Sequence, residues 1–394
     1  MALTTVSSDR LATNVKNTNF TSAEKQDLTN DILPLATQFG QSKNLIINGS
    51  VQVSQRGIAS TSTGYLIDRV ELEYTGLDEA PEQRQANLGS GDTGPYEEGF
   101  RKAYKITNGN QTSGAGAGDR FQSFIKLEAQ DIANSGWNYT SSSSYITLQF
   151  WIKSSVAQNF YGYLRTKDGT GQRYAFETGS LTADTWTKIT KTIPGNANLT
   201  FNNDNGEGLQ INLQHFSGTD FTDSGVSLNA WGAYASGTRT PDQTSTWYTT
   251  NDSTLEYTGF QLEVGSVATE FEHRTFDQEL ALCQRYFQKY VHTANEACIA
   301  TGLIWNGTQV RTPFMFLKEM RAAPSFTSST ASNFQAANGD QSRTASNLTM
   351  SSACTTHAII YMTTASGLTQ SNPIFMDNIN NGGTGSFFAL DSEL

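Results

Sequence analysis

At 394 residues the chain has room for two or three domains of ordinary size. Only 16% of its residues are charged, and Gly, Ser, Thr and Asn are abundant, a mixture that favours β-rich surfaces joined by turns over a helical enzyme. A formal charge of -11 argues against a nucleic-acid partner, because such binding depends on Lys and Arg displacing counterions from phosphates.

Three widely spaced cysteines, Cys283, Cys298 and Cys354, form no CxxC pair and suggest neither a disulfide framework nor a zinc site. The N-terminus has no apolar core of signal-peptide length, and no segment approaches the ~18 apolar residues of a membrane span. The expectation is synthesis in a host cytoplasm with no membrane insertion.

In chain order, residues 1–43 stand apart. Thr21-Ser22-Ala23-Glu24 has the form of a capping box and opens SAEKQDLTNDIL, which Pro34 interrupts. Leu28, Ile32 and Leu35 lie on one narrow stripe, too small for a core of its own, so the segment is expected to dock on a partner or on copies of itself. A disordered tail is the plainer alternative.

From Asn44 onward, strand patterns take over. NLIINGSVQVSQRG alternates around Asn48-Gly49 and is followed by LIDRV, while GLDEAPEQRQANLGSGDTGPYEEG has little periodicity and is expected to be a surface insertion. Strand candidates then recur as FRKAYKIT, RFQSFIKLE, SYITLQFWIKS, NFYGYLRT, RYAFETG, TWTKITKTI, GLQINLQHF and LEYTGFQLEV. That many antiparallel strands predict a jelly-roll-like β-sandwich over residues 44–270. In SYITLQFWIKS the alternation assigns Ile146, Leu148, Phe150 and Ile152 to the core, leaving Tyr145, Thr147, Gln149, Trp151 and Lys153 for solvent or an interface.

The strand ending at Val264 breaks at Gly265-Ser266. Phe276, Leu280, Leu282, Cys283, Tyr286, Phe287 and Tyr290 then recur at helical spacing, predicting a connecting helix of about four turns within residues 271–292. Short strands follow, from ACIATGLIWNG to SFFALDSEL, and predict a smaller C-terminal β domain over residues 293–394.

NLIINGSVQVSQRG with GYLIDRV, ITLQFWIKSS, TWTKITKTIPG, GFQLEVGSVATEFEHRTFDQELALCQRYFQKY, MRAAPSF and the final ALDSEL, in this order, resemble a group of bacteriophage virion proteins, mainly tail fibres and other appendages. The resemblance covers residues 44–394. It implies a sandwich similar to carbohydrate-binding modules, a connecting helix, a small C-terminal β domain and often a homotrimer, but no reaction. The family's opening strand commonly ends in DRW, whereas here Val70 follows Asp68-Arg69. Residues 1–43 lie outside the resemblance, and in such appendages this is where attachment to other virion proteins is usually encoded.

Candidate chemistry is sparse. The four histidines, His215, His273, His292 and His357, show no metal-ligand spacing, and His273-Arg274 is expected to fix the junction by bonding to backbone. Glycoside hydrolysis needs two carboxylates flanking one sugar bond. Glu71 with Glu73, Glu97 with Glu98, and Asp204 with Glu207 supply pairs, but nothing singles one out.

Asn202-Asn203-Asp204-Asn205-Gly206-Glu207 gathers oxygens that could hold calcium near Asp204, although an ordinary Asn/Gly turn accounts for it and no cofactor is expected. Aromatic rings can stack on sugars, which makes Tyr161, Tyr163, Tyr174, Trp231, Trp247 and Tyr248 glycan-binding candidates; packing in a core or an interface is the alternative. Phe271, His273, Arg274, Phe276, Leu280, Tyr286 and Phe287 are expected at the domain or oligomer junction.

The expectation is a non-enzymatic structural protein on the exterior of a virion, in a trimeric tail fibre or appendage that contacts host surface polysaccharide. The alternatives are a capsid-bound fibre, decoration or tail adaptor, and a polysaccharide-degrading tailspike.

Overall fold

A computed structural model describes residues 43–292, 298–379 and 386–394. The expected N-terminal helix with Leu28, Ile32 and Leu35 lies outside the described residues. The chain is mainly β, built from antiparallel sheets with few helices.

Strands β1 (Ala59–Ser60), β2 (Gly64–Tyr65), β3 (Val70–Thr75), β4 (Glu82–Asn87), β5 (Lys102–Thr107) and β6 (Arg120–Glu128) lead to a short helix, α1 (Ala129–Ala133). Then come β7 (Tyr145–Ser154), β8 (Asn159–Thr166), β9 (Gln172–Ser180), β10 (Thr187–Pro194), β11 (Glu207–Ser217), β12 (Trp231–Ala233), helix α2 (Thr246–Thr249) and β13 (Thr254–Val264). They form two sheets, one of six strands ordered β1-β4-β5-β13-β7-β10 and one of seven ordered β12-β9-β8-β11-β6-β3-β2.

The core between the sheets follows the strand alternation. Ile146, Leu148, Phe150 and Ile152 of β7 point inward as expected, facing Phe121, Ile125 and Leu127 of β6 and Leu209, Ile211 and Leu213 of β11 in one cluster. Each such side chain contributes about 1.5–3 kcal/mol by leaving water. The aperiodic segment after Gly76 is not simply an insertion: Glu82–Asn87 forms β4 and pairs with β5.

The two outer faces differ. On the six-stranded sheet, Thr147 and Gln149 are buried under the segment after Gly265, donating to the Gly265 and Thr269 carbonyls at 2.8 and 2.7 Å. The loop after β4 covers the rest of this face, where Gly94 lies against the Trp151 ring and Asp92 takes bonds from Lys153 and Trp186 at 2.9 Å. A Cβ on Gly94, whose φ is +95°, would fall 2.7 Å from that ring, so only glycine allows the loop to close. The chain therefore seals one face of the sandwich with itself.

After the sandwich, the connecting helix is shorter than the periodicity predicts. Helix α3 spans Phe276–Cys283, opened by a capping box between Thr275 and Gln278, and the chain turns at Gln284 into strand β14 (Phe287–His292). The same aromatic residues that fit a helical stripe also suit a strand, and pairing with β22 (Ser386–Asp391) decides between the two. Tyr290 then stacks on Phe388 at 4.9 Å. The remaining strands are β15 (Cys298–Asn306), β16 (Gln309–Met315), β17 (Ser325–Ser328), β18 (Phe334–Ala337), β19 (Ser342–Ser351), β20 (His357–Thr364) and β21 (Pro373–Asn378). Of these, β15-β16-β20-β19-β18-β21 close into a barrel, while β14-β22-β17 form a small sheet.

Charged side chains weld the sandwich to the barrel side. Glu128, whose side chain is fully buried, accepts bonds from Arg285 at 2.7 and 2.8 Å and from the Tyr286 hydroxyl at 2.6 Å. Burial opposes its charge, but these bonds hold its pKa below the usual glutamate range. Arg69, left-handed at φ 71°, bonds to Glu393 and covers the Tyr286 ring at 3.5 Å. Arg56 reaches Asp391 at 3.0 Å and lies over Phe287 at 3.6 Å.

The junction positions divide accordingly. Phe271 packs edge-on against Phe100 at 4.7 Å, His273 bonds to the Glu98 carbonyl at 2.8 Å and Arg274 to the Asn44 carbonyl at 2.6 Å. Tyr286 and Phe287 are buried in the weld, whereas Leu280 is half-buried and Phe276 is 52% exposed.

Two outcomes follow from this packing. Glu128→Ala leaves Arg285 and Tyr286 without their acceptor and should cost about 3 kcal/mol in chemical unfolding; a loss under about 1 kcal/mol would show the weld to be dispensable. His215 sits in the core between Ser123 and Tyr257, at 2.8 and 3.2 Å, and burial pushes its pKa down to about 3. Because the unfolded chain takes up this proton first, near pH 6.5, the contribution of the neutral imidazole is complete above that pH and is lost as pH falls toward 3. Between pH 7 and 5 the loss is about 2 kcal/mol. In His215→Gln the pH slope of stability over this range should flatten by that amount, and an unchanged slope would remove His215 as its source.

Candidate functional site

The other outer face, on the seven-stranded sheet, holds an open groove of about 400 Å³. Its residues come from the outward positions of adjacent strands, alternate to those that build the core. Glu71 and Glu73 stand on β3, Gln122, Phe124 and Lys126 on β6, Gln210 on β11, and Tyr163 and Arg165 on β8, with Arg120 at the start of β6 and Lys167 just past β8. Register aligns them across the sheet: Glu71, Phe124, Asn212 and Tyr163 form one row, and Glu73, Gln122, Gln214 and Tyr161 the next. Tyr234 and Arg239, from the loop after β12, close one side.

The floor is polar and internally bonded. The Gln122 carbonyl oxygen accepts from Gln214 at 2.8 Å and from Asn212 at 3.3 Å, and its amide donates to Glu73 at 2.8 Å. Lys126 pairs with Glu71 at 2.7 Å and Arg120 pairs with Glu73. Lys167, at the rim, pairs with Glu207 at 3.2 Å. Arg165 lies over the Tyr234 ring at 3.6 Å, and Arg239 over Phe221 at 4.7 Å. Burial raises the pKa of Tyr163, so its hydroxyl stays protonated at neutral pH.

The six predicted aromatic positions separate under this geometry. Tyr163 lines the groove but is 1% exposed, a floor residue with its ring covered, and Tyr161 is half-buried in the neighbouring row. Trp247 and Tyr248 belong to the core and cannot stack on a ligand: Trp247 packs near Phe121 and donates to the Thr254 carbonyl at 3.0 Å, and Tyr248 stacks on Phe216 at 4.3 Å while its hydroxyl donates to Asp119. Tyr174 is buried on the inner face against Trp231 at 5.4 Å, and Trp231 itself donates to the Pro194 carbonyl at the sheet edge. Apolar rings lose more by exposure than a sugar contact would return, which is why these four fill the sandwich or close its end.

Reasoning from aromatic residues alone missed Arg120, Gln122, Lys126, Arg165, Tyr234 and Arg239. Most of the signal was present: the outward positions of RFQSFIKLE and NFYGYLRT read Arg, Gln, Phe, Lys and Tyr, Tyr, Arg. Tyr234 and Arg239 come from a loop, which no strand periodicity marks.

The other candidate chemistry is accounted for by internal bonds. In the Asn/Gly turn, Asp204 accepts from the Gly206 amide at 2.9 Å, Asn203 accepts from Asn134 at 2.7 Å and Asn205 donates to the Arg321 carbonyl at 2.5 Å, so these side chains serve the turn and its neighbours. Among the described residues no group of three or more His, Cys, Asp or Glu side chains could hold a metal ion. Glu98 is bonded to Trp151 and Lys188 on the sealed face.

No family model matches the chain, and no curated protein matches it in sequence. Among solved structures it is similar to the enzymatically active domain of tailspike protein 4 of bacteriophage CBA120, at 11% identity and a TM-score of 0.29 over 56% of this chain and 21% of that one. A family 4 carbohydrate-binding module matches at 14% identity and a TM-score of 0.26, covering 56% of this chain and 99% of the module. A putative sugar binding protein from Bacteroides thetaiotaomicron matches at 11% identity and a TM-score of 0.28, covering 57% of this chain and all of that one. Scores this low assign no activity, and the chemistry of the groove rests on its own side chains.

Because Trp247 is core, Trp247→Ala should lower stability by about 3–5 kcal/mol in chemical unfolding. A fully stable variant would return this ring to the list of ligand contacts.

Proposed function

We propose that this protein is a non-catalytic structural component of a virus particle, a fibre or comparable appendage, that holds a surface saccharide in the groove of the seven-stranded sheet. The observation that carries the reading is the contrast between the two outer faces: one is sealed by the chain's own loops, and the other presents convergent amides, hydroxyls and cations around an open groove. Sugar hydroxyls need fixed donors and acceptors, and the side chains of this groove stand on the paired strands β3, β6, β11 and β8.

The non-catalytic part of the reading is supported by the state of the carboxylates. Glu71 and Glu73 stand two residues apart on one strand and spend their oxygens on Lys126, Arg120 and Gln122 instead of flanking an open site from two sides. Self-association, as the expected homotrimer, is supported by the barrel, which leaves Leu303, Trp305, Met315 and Phe375 exposed. The resemblance to phage appendages agrees with placement on a virion, with residues 1–43 as the attachment segment.

The test incubates the full chain with purified bacterial surface polysaccharides, O-chains and capsules. Binding without release of reducing ends is expected, and release of reducing ends would overturn the non-catalytic reading. In the double variant Tyr161→Ala, Tyr234→Ala, affinity for any bound polysaccharide should fall about ten-fold while the melting temperature holds. Unchanged affinity would move the site away from this groove.

A further inference from the structure

The groove carries a charge opposite to that of the chain. Five cationic side chains, Arg120, Lys126, Arg165, Lys167 and Arg239, line it against two carboxylates, Glu71 and Glu73, in a protein of net charge -11. Three of the cations are neutralised by neighbours: Arg120 by Glu73, Lys126 by Glu71 and Lys167 by Glu207. Arg165 and Arg239 form no ion pair among the described residues.

Their placement makes this costly. Arg239 is only 6% exposed, and the Nε atoms of both Arg165 and Arg239 are buried with no hydrogen-bond partner in the protein. A buried, unpaired cation is unfavourable by itself, and native structures satisfy such groups with a counter-charge or a ligand. The rings of Tyr234 and Phe221 lie beneath the two guanidinium groups but supply no acceptor. What these arginines lack is an oxyanion that offers two oxygens, the partner their forked donors match best.

We propose that the saccharide held in this groove is acidic, and that an anionic group on it, a carboxylate or a sulfate or phosphate ester, is bound by Arg165 and Arg239. The inference rests on the saccharide-binding reading of the groove and adds the charge of the ligand. A nucleic-acid strand carries anions too, but the chain's overall charge opposes a long phosphate polymer.

The test measures binding of the full chain by titration calorimetry to oligogalacturonate, to its methyl ester, which keeps the sugar ring and loses the charge, to a heparin-derived oligosaccharide and to a neutral β-glucan oligosaccharide. The acid should bind at least about ten-fold more tightly than its ester, and the preference should shrink as salt is raised. Arg165→Gln should abolish most of this preference. Lys188→Gln on the sealed face controls for overall charge and should leave the preference intact.

A heparin-derived oligosaccharide bound more tightly than oligogalacturonate, with the gain lost in Arg165→Gln, upholds the anionic site. Equal affinity for acid and ester overturns the acidic ligand and leaves the groove as a neutral-sugar site, and full preference in Arg165→Gln overturns the assignment of the anion to Arg165 and Arg239. Binding of none of the four oligosaccharides overturns both readings, as does tighter binding of a single-stranded DNA oligonucleotide.

Discussion

The buried charge weld around Glu128 and Arg69 is the constraint on which the remaining geometry depends. Glu128 ends β6, Arg285 and Tyr286 follow α3, and Glu393 lies beyond β22, so these few side chains join three parts of the chain that are distant in sequence. Replacing such a network with apolar residues would cost the fold little, but it would also remove a directional lock, since only one arrangement satisfies every donor and acceptor. The lock reaches the groove directly. Lys126, which lines it, donates to the Leu394 carbonyl at 2.7 Å as well as to Glu71, and Arg69 donates to the Lys126 carbonyl. The last residues of the chain thus help hold one of the groove's cations.

The same economy explains which face is free. Both sheets expose polar outward residues on alternate positions, and an antiparallel sheet can leave one face to water. On the six-stranded side these positions are consumed: Gln149 and Thr147 anchor the segment leading to α3, and Trp151 and Lys153 hold the loop before Phe100. That face positions the junction, and the opposite face keeps its groove open. The junction and the groove are separated by the thickness of the sandwich.

How much of this was legible in the sequence depends on the range of the forces involved. The sandwich was legible because period-two alternation is local: the inward residues of β7 were assigned correctly from SYITLQFWIKS alone. The break at Gly265 was legible for the same reason, and its φ of +135° is one that glycine adopts readily. The length of α3 was not, because Phe287, Tyr290 and their neighbours fit a helix stripe and a strand equally, and the deciding partner, β22, lies a hundred residues on. Trp247 and Tyr248 misled for a related reason: a tryptophan in a Ser/Thr-rich loop reads as exposed until the open end of the sandwich that it plugs is known.

The groove escaped notice because its signal is a sum over strands. Each contributes one or two outward polar residues, unremarkable alone, and the chain's negative total hides a local positive field. Low dielectric sharpens that field, since a charge with protein on several sides is screened less than one on an open surface. Arg239 illustrates the consequence: its burial raises the cost of leaving it without an ion pair. The packed core beneath offsets the cost of holding such a residue without an ion pair.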